Sequence, residues 1–209
     1  MPKQTFFNLP EEKKEKLIET AIDEFSKQSF KNASINKIAE NAGVAKGSLY
    51  QYFEDKKDLY KHIFDIAGSK KQEYLIGWMH QLQHLDFIEI IRELYVKGIE
   101  FALENPKLAA LANHFIKESD VKFKEEIMGV GIEKSNLFFE ELIENAKKNG
   151  EVSKEIDTKV GAYIITNLNT SIMDYTLNKM EYEDILKHKE MLLDNVDKML
   201  FIIRNGFKS

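Results

Sequence analysis

Cysteine is absent, which excludes disulfides, thiolate nucleophiles and thiolate-bound metals and is compatible with a reducing compartment. Three prolines and ten glycines in 209 residues leave few interruptions to long helices. No apolar run approaches the roughly 20 residues that span a bilayer. The opening MPKQTFFNLPEEKK lacks the apolar stretch of a secretory signal, so a soluble, cytoplasmic protein is expected. A phosphate loop is also missing, because the MGVG fragment follows no strand pattern and precedes no Gly-Lys-Ser/Thr. What remains is 43% apolar and 31% charged, enough for one or two domains with a real core.

The stretch Ser34 to Phe53, SINKIAENAGVAKGSLYQYF, organises the rest. Ser34 is a good N-cap, and Ile35, Ile38, Ala39 and Ala42 follow at spacings of three and four, one apolar face of a short helix. Gly43 suits the left-handed exit from it. A second short pattern has Val44, Leu49 and Phe53 as its inward residues. Two short helices around a glycine-containing turn make a helix-turn-helix, whose second helix enters a DNA major groove. The tips left over from packing are Lys46, Ser48, Tyr50, Gln51 and Tyr52. Tyr50 and Tyr52 are two apart and cannot share a helix face, so at least one hydroxyl is expected in solvent. Gln51 is assigned to base reading, since glutamine can pair bidentately with adenine. Residues 1–60 hold ten basic and ten acidic side chains, so the whole net charge of −5 falls in the remainder. Lys27, Lys31, Lys37, Lys46, Lys56 and Lys57 could then form a modest basic rim on a neutral head.

AGVAKGSLYQYFEDKKDLY closely resembles the signature of the tetracycline-repressor (TetR) family of bacterial regulators, carried here by Ala42, Gly43, Val44, Lys46, Gly47, Ser48, Leu49, Tyr50, Tyr52 and Phe53. The resemblance implies an all-α fold of about nine helices. It also implies an N-terminal three-helix helix-turn-helix DNA-binding domain, 1–55, and a larger ligand-binding and dimerisation body, 56–209. The DNA-binding residues would be Ser34, Lys46, Gly47, Ser48, Tyr50, Gln51, Tyr52 and Lys56, with Tyr52 at phosphate and Tyr50 at phosphate or a thymine methyl. A homodimer would place two such helices in successive major grooves of a palindromic operator, about 34–36 Å apart.

The remaining periodicities predict helices from Pro10 to Gln28, Lys56 to about Gln83, Asp86 to Glu104, Pro106 to Phe115 and Asp120 to Asn149. Two more are expected from Asp157 to about Lys179 and from Tyr182 to Asn205, and Gly129 and Gly131 suggest a bend. In the family the last two helices dimerise, which implicates Ile164, Leu168, Leu192, Val196, Met199, Leu200 and Ile203, with Leu193, Phe201 and Ile202 facing elsewhere. The resemblance also implies an effector cavity, with Trp78, Phe101, Phe115, Tyr163, Asn167 and Thr170 as candidate lining. ITNLNTSIMDY is rich in small polar side chains for a buried helix, and a ligand could pair with them. A mildly apolar or aromatic effector is expected, and no cofactor. Repression by a palindrome-bound homodimer, released by the effector, is the favoured function. Activation, effector-independent regulation, or a helical interaction protein that never touches DNA are the alternatives. An enzyme is not expected. His80 and His84 are four apart on a helical stretch, but no adjacent Glu makes a zinc-protease motif.

Overall fold

The computed structural model describes residues 1–82, 84–177 and 188–206; the side chains of 169, 170, 174 and 177 are also outside the described set. The described residues form ten α-helices and no strand. In chain order these are α1 (Gln4–Phe7), α2 (Glu11–Lys27), α3 (Ile35–Ala42), α4 (Lys46–Tyr52), α5 (Lys56–Met79) and α6 (Phe87–Glu104). They continue with α7 (Pro106–Ile116), α8 (Val121–Asn149), α9 (Thr158–Leu177) and α10 (Lys189–Asn205). The all-α expectation holds, and the single turn α1 is an addition that no periodicity announced. Asn8 closes α1, and Pro10, expected as the first residue of the next helix, is the residue before α2. α8 runs through Gly129 and Gly131 as one helix. The expected start of the last helix at Tyr182 lies outside the described residues.

Two compact units result: residues 1–70 with 105–129, and residues 71–104 with 130–209. The core of the first is built by Leu17, Ala21 and Phe25 of α2, Ile38 and Ala39 of α3, Leu49 of α4, and Leu59, Tyr60 and Ile63 of α5. Phe30 packs against Tyr60 at 5.0 Å and Phe123 at 4.6 Å. α7 lies on α2, where Lys107 pairs with Asp23 at 2.8 Å. Lys107 and Lys27 together hold the Asp23 carboxyl below the usual carboxylate value. Rings continue from Phe25 through Tyr60 and Phe64 to Phe115, with neighbouring centroids under 5 Å apart. Offset and edge contacts of this kind add to the burial they accompany.

The second unit centres on Ile91 and Ile99 of α6, Ile143 and Ala146 of α8, Ala162 and Ile165 of α9, and Leu192, Val196 and Leu200 of α10. α10 packs on α6 and α9. Arg92 grips Asp197 with two bonds, from Nε at 2.7 Å and from the terminal guanidinium nitrogen at 3.3 Å. Gly161 permits the approach of α8 and α9, because a Cβ there would stand 3.0 Å from Ile143 Cδ1. No helix among the described residues is long and apolar enough to cross a membrane.

Candidate nucleic-acid interface

Two polar ties and one glycine set the turn. Ser34 is extended before α3 and its Oγ accepts from the Lys37 amide at 3.4 Å. The shorter tie is the Ser34 amide itself, which donates to Glu24 Oε1 at 2.8 Å. Glu24 is buried, so a carboxylate of α2 fixes the start of α3. Sequence reading missed it, because the pair is ten residues apart and follows no local motif. Gly43 then takes φ +71°, with its amide on Glu40 O at 3.1 Å and the Val44 amide on Ala39 O at 3.0 Å. A non-glycine residue is strained in that conformation.

Leu49 and Phe53 face inward and are each 2% exposed, as the inward pattern requires. The opposite side of α4 offers Lys46, Gly47, Tyr50 and Gln51 to solvent, with Ser48 and Tyr52 half-buried. Tyr50 is 44% exposed, whereas Tyr52 packs against the head core. Tyr52 therefore contributes packing at its position, and Tyr50 is the more accessible of the two rings. A Cβ added at Gly47 would meet nothing within 4 Å, so nothing in the chain's own packing calls for glycine there. An empty outer face at the start of α4 suits close approach of a groove wall.

Lys56 departs from expectation. Its Nζ donates to Lys31 O and Ala33 O, both at 3.1 Å, and stands 4.8 Å from the centre of the Phe30 ring. Burial lowers its pKa below the ordinary lysine value. This ammonium ties down the loop before α3 rather than pointing at a phosphate. The rim is reduced further by Lys27, paired with Asp23 at 2.6 Å, and Lys57, paired with Glu126 at 2.5 Å. Lys31, Lys37 and Lys46 remain exposed.

The far end of α4 rests on the first residues of the chain. The Lys3 amide donates to Tyr52 O at 2.7 Å and Lys3 Nζ to Tyr50 O at 3.1 Å, while Thr5 Oγ1 donates to Gln51 O. α5 begins directly afterwards, with the Asp58 amide on Asp55 Oδ1 at 2.8 Å and the Glu54 amide on Asp58 Oδ2 at 3.1 Å.

The residues expected elsewhere separate into groups. Trp78 and Phe101 share a cluster through Tyr74, at 6.5 and 5.4 Å, and Lys97 Nζ sits 3.7 Å over the Trp78 ring. Phe115 belongs instead to the aromatic core of the first unit. Tyr163 and Asn167 are exposed on α9, with the Asn167 amide turned back to Tyr163 O at 2.8 Å. The Thr170 side chain lies outside the described residues. Of the polar stretch, Thr166 Oγ1 is buried without a partner among the described residues, whereas Thr176 bonds Ile172 O and accepts from Asn195.

The expected dimer residues also divide. Leu192, Val196, Met199 and Leu200 fill the core of their own unit, Leu168 and Ile203 pack at its edge, and Ile164 is 48% exposed. Phe201 and Ile202, read as facing elsewhere, are the open apolar residues of α10. The reason is that α10 uses its regular stripe against α6 and α9, leaving the off-stripe pair outside. His80 and His84 lie beyond the end of α5, in the loop before α6, so helical i,i+4 geometry does not join them.

Two short helices locked across a left-handed glycine, the later one polar outward, define the head of a helix-turn-helix DNA-binding regulator. The family model for bacterial regulatory proteins of the tetR family matches residues 17–63. The chain is 27% identical over 194 residues to the probable acrEF/envCD operon repressor of Escherichia coli K12, covering 89% of this chain and 86% of that one. A TetR family transcriptional regulator from Chloroflexus aurantiacus superposes with a TM-score of 0.60 at 28% identity, over 99% of this chain and 98% of that chain. FadR from Bacillus subtilis, solved in complex with stearoyl-CoA, shares the fold at a TM-score of 0.67 and 16% identity, over 93% and 99% of the two chains. The head is thus similar to that of the TetR family of transcriptional regulators, and the likeness to a TetR-type repressor and to a solved TetR regulator extends over most of the chain.

Proposed function

We propose that the chain is a ligand-responsive transcriptional repressor that binds a palindromic operator as a homodimer and releases it when a small molecule binds the body. The observation that carries the DNA-binding part is the outer face of α4: Lys46, Gly47, Tyr50 and Gln51 stand in solvent on a helix anchored from behind by Leu49 and Phe53. Residues 1–55 are assigned to operator binding and 56–209 to effector binding and dimerisation. Repression follows the sense of the Escherichia coli relative's name. Dimerisation is supported by α9, where Val160, Ile164 and Tyr175 are exposed along the helix together with Tyr163. For the effector, Trp78, Tyr74 and Phe101 offer an aromatic surface in the second unit, which favours an apolar or aromatic molecule. The effector can act only through unequal affinity for two head spacings.

The test is selection of duplexes from a random pool by the full-length protein, followed by a screen for compounds that release the selected duplex. A two-fold symmetric consensus is expected, and Tyr50→Ala with Gln51→Ala should lose it while remaining folded. A consensus without symmetry would sink the dimer, and no selection at all would sink the reading of α4.

A further inference from the structure

We propose, resting on the reading of α4 as the helix that meets DNA, that residues 3–6 form a clasp that sets the position of α4, with Lys3 and Thr5 as positioning residues for operator recognition. At seven residues α4 is too short to hold itself in water. The last carbonyls of any helix have no partner within it. Many helices close that end with a left-handed glycine, as α3 does, but α4 passes into an extended Phe53 at φ −128°. The carbonyls of its last three residues are all met from the beginning of the chain. Lys3 Nζ bonds Tyr50 O, Thr5 Oγ1 bonds Gln51 O, and the Lys3 amide bonds Tyr52 O. The Lys3 charge also stands at the negative end of the helix dipole.

Apolar burial seats the clasp. Phe6 is 4% exposed, with its ring 5.1 Å from Phe53 and 5.4 Å from His62. Pro2 is buried as well, and Lys3 Nζ lies 2.9 Å from the Glu54 carboxylate. The segment thus joins the residues flanking α4 to the front of α5 by a hydrophobic plug and a row of donors. Losing a donor leaves a helix-end carbonyl unpaired and frees the outer residues of α4 from a fixed register toward the groove. The competing account makes Lys3 a direct phosphate contact. Salt dependence separates the two, since each phosphate contact steepens the slope of log affinity against log salt by about one.

The experiment compares full-length wild type, Thr5→Val, Thr5→Ser and Lys3→Met on a labelled duplex that the wild type selects from a random pool. Amide exchange of each protein is measured without DNA. The clasp requires Thr5→Val to bind roughly three- to tenfold more weakly, the range of one lost hydrogen bond, with the salt slope unchanged. Thr5→Ser restores affinity, because it keeps the hydroxyl. Amides of residues 48–53 exchange faster in Thr5→Val and Lys3→Met, while those of α10 do not change. Wild-type affinity and exchange in Thr5→Val would overturn the clasp, as would a slope about one unit shallower per subunit in Lys3→Met. Should the wild type select no duplex, the DNA-contacting reading of α4 fails, and exchange in the free proteins still decides whether residues 3–6 hold it.

Discussion

In the first unit the large apolar side chains left open to solvent are Met1, Phe7, Tyr50 and Val121, scattered over its surface. In the second, Val160, Ile164 and Tyr175 recur along α9, Phe201 and Ile202 stand out from α10, and Val130, Ile132 and Leu137 from α8. The first unit closes helix ends with its own side chains through Glu24, Lys3 and Thr5, ties the loop before α3 through Lys56, and leaves an amphipathic tyrosine on the face assigned to DNA. The second fills a core and still presents a run of apolar surface. Isolated exposed apolar residues need no explanation, whereas a contiguous set marks a binding face. Among the described residues the first unit leaves no such series along a helix, whereas the second repeats apolar residues along α9, the face proposed for self-association.

The strongest way to break this comparison is to charge the α9 face. Val160→Asp with Ile164→Asp should convert the proposed dimer to a monomer in sedimentation velocity. Operator affinity should fall by about 100-fold or more, because two linked heads become two independent ones. The far-ultraviolet spectrum should hold. A double variant that still sediments as a dimer would remove α9 from the interface.

Within that monomeric background, Leu200 and Phe201 sharpen the contrast. Leu200 is 3% exposed and Phe201 66%, although they are adjacent. Leu200→Ala should lower the unfolding free energy by about 2–5 kcal/mol in urea titration, the cost of a buried truncation that leaves a cavity. Phe201→Ala should change it by about 0.5 kcal/mol or less, the usual effect at an open surface position. In the otherwise wild-type protein the second substitution should instead weaken self-association.

That adjacent pair also shows where the sequence stops being legible. The periodicity of α10 revealed a stripe of Leu192, Val196, Met199 and Leu200 and a second apolar patch, but two faces need two partners and hydrophobicity alone does not label them. The family resemblance assigned the regular stripe to a second subunit, and the structure gives it to α6 and α9. The turn was readable residue by residue, since a serine cap, a left-handed glycine and inward Leu49 and Phe53 are local choices. Glu24, Lys3 and Thr5 were not readable, because each acts on a backbone group ten to forty-seven residues away. Long-range hydrogen bonds to main-chain atoms leave no periodic trace in a single sequence.

Lys46 and Lys56 carry the same charge on the same head and should behave differently. Lys46→Met should make the salt dependence of operator binding shallower by about one per subunit and leave stability unchanged, which the proposed phosphate contact requires of this exposed cation. Lys56→Met should leave the slope alone and cost about 1 kcal/mol of stability, because two loop carbonyls lose their donor. Equal slopes for both variants would return Lys56 to the DNA face or take Lys46 from it.

The smallest expected effect is a pH dependence confined to the first unit. His62 lies against Phe6 and Phe53, and burial lowers its pKa below the ordinary imidazole value, with Asp65 opposing. The unfolded chain takes up this proton near pH 6.5, and the folded head does so only at lower pH. Between those values the unfolded state binds more protons, so stability rises with pH. The contribution is therefore complete above about pH 7 and declines as pH falls through 6.5 toward the depressed folded value. Asp23, Asp86 and Glu144 are held below their ordinary carboxylate values, so their contributions are lost only in a more acidic window. A urea midpoint that drops between about pH 7 and pH 5 in wild type, and flattens in His62→Gln, would assign the effect to this imidazole. Amide exchange in α1 and α4 should accelerate over the same interval, because Phe6 is the ring that the charged imidazole would unseat. Trp78, the chain's one tryptophan, reports the second unit, and its fluorescence should stay level while the head loosens.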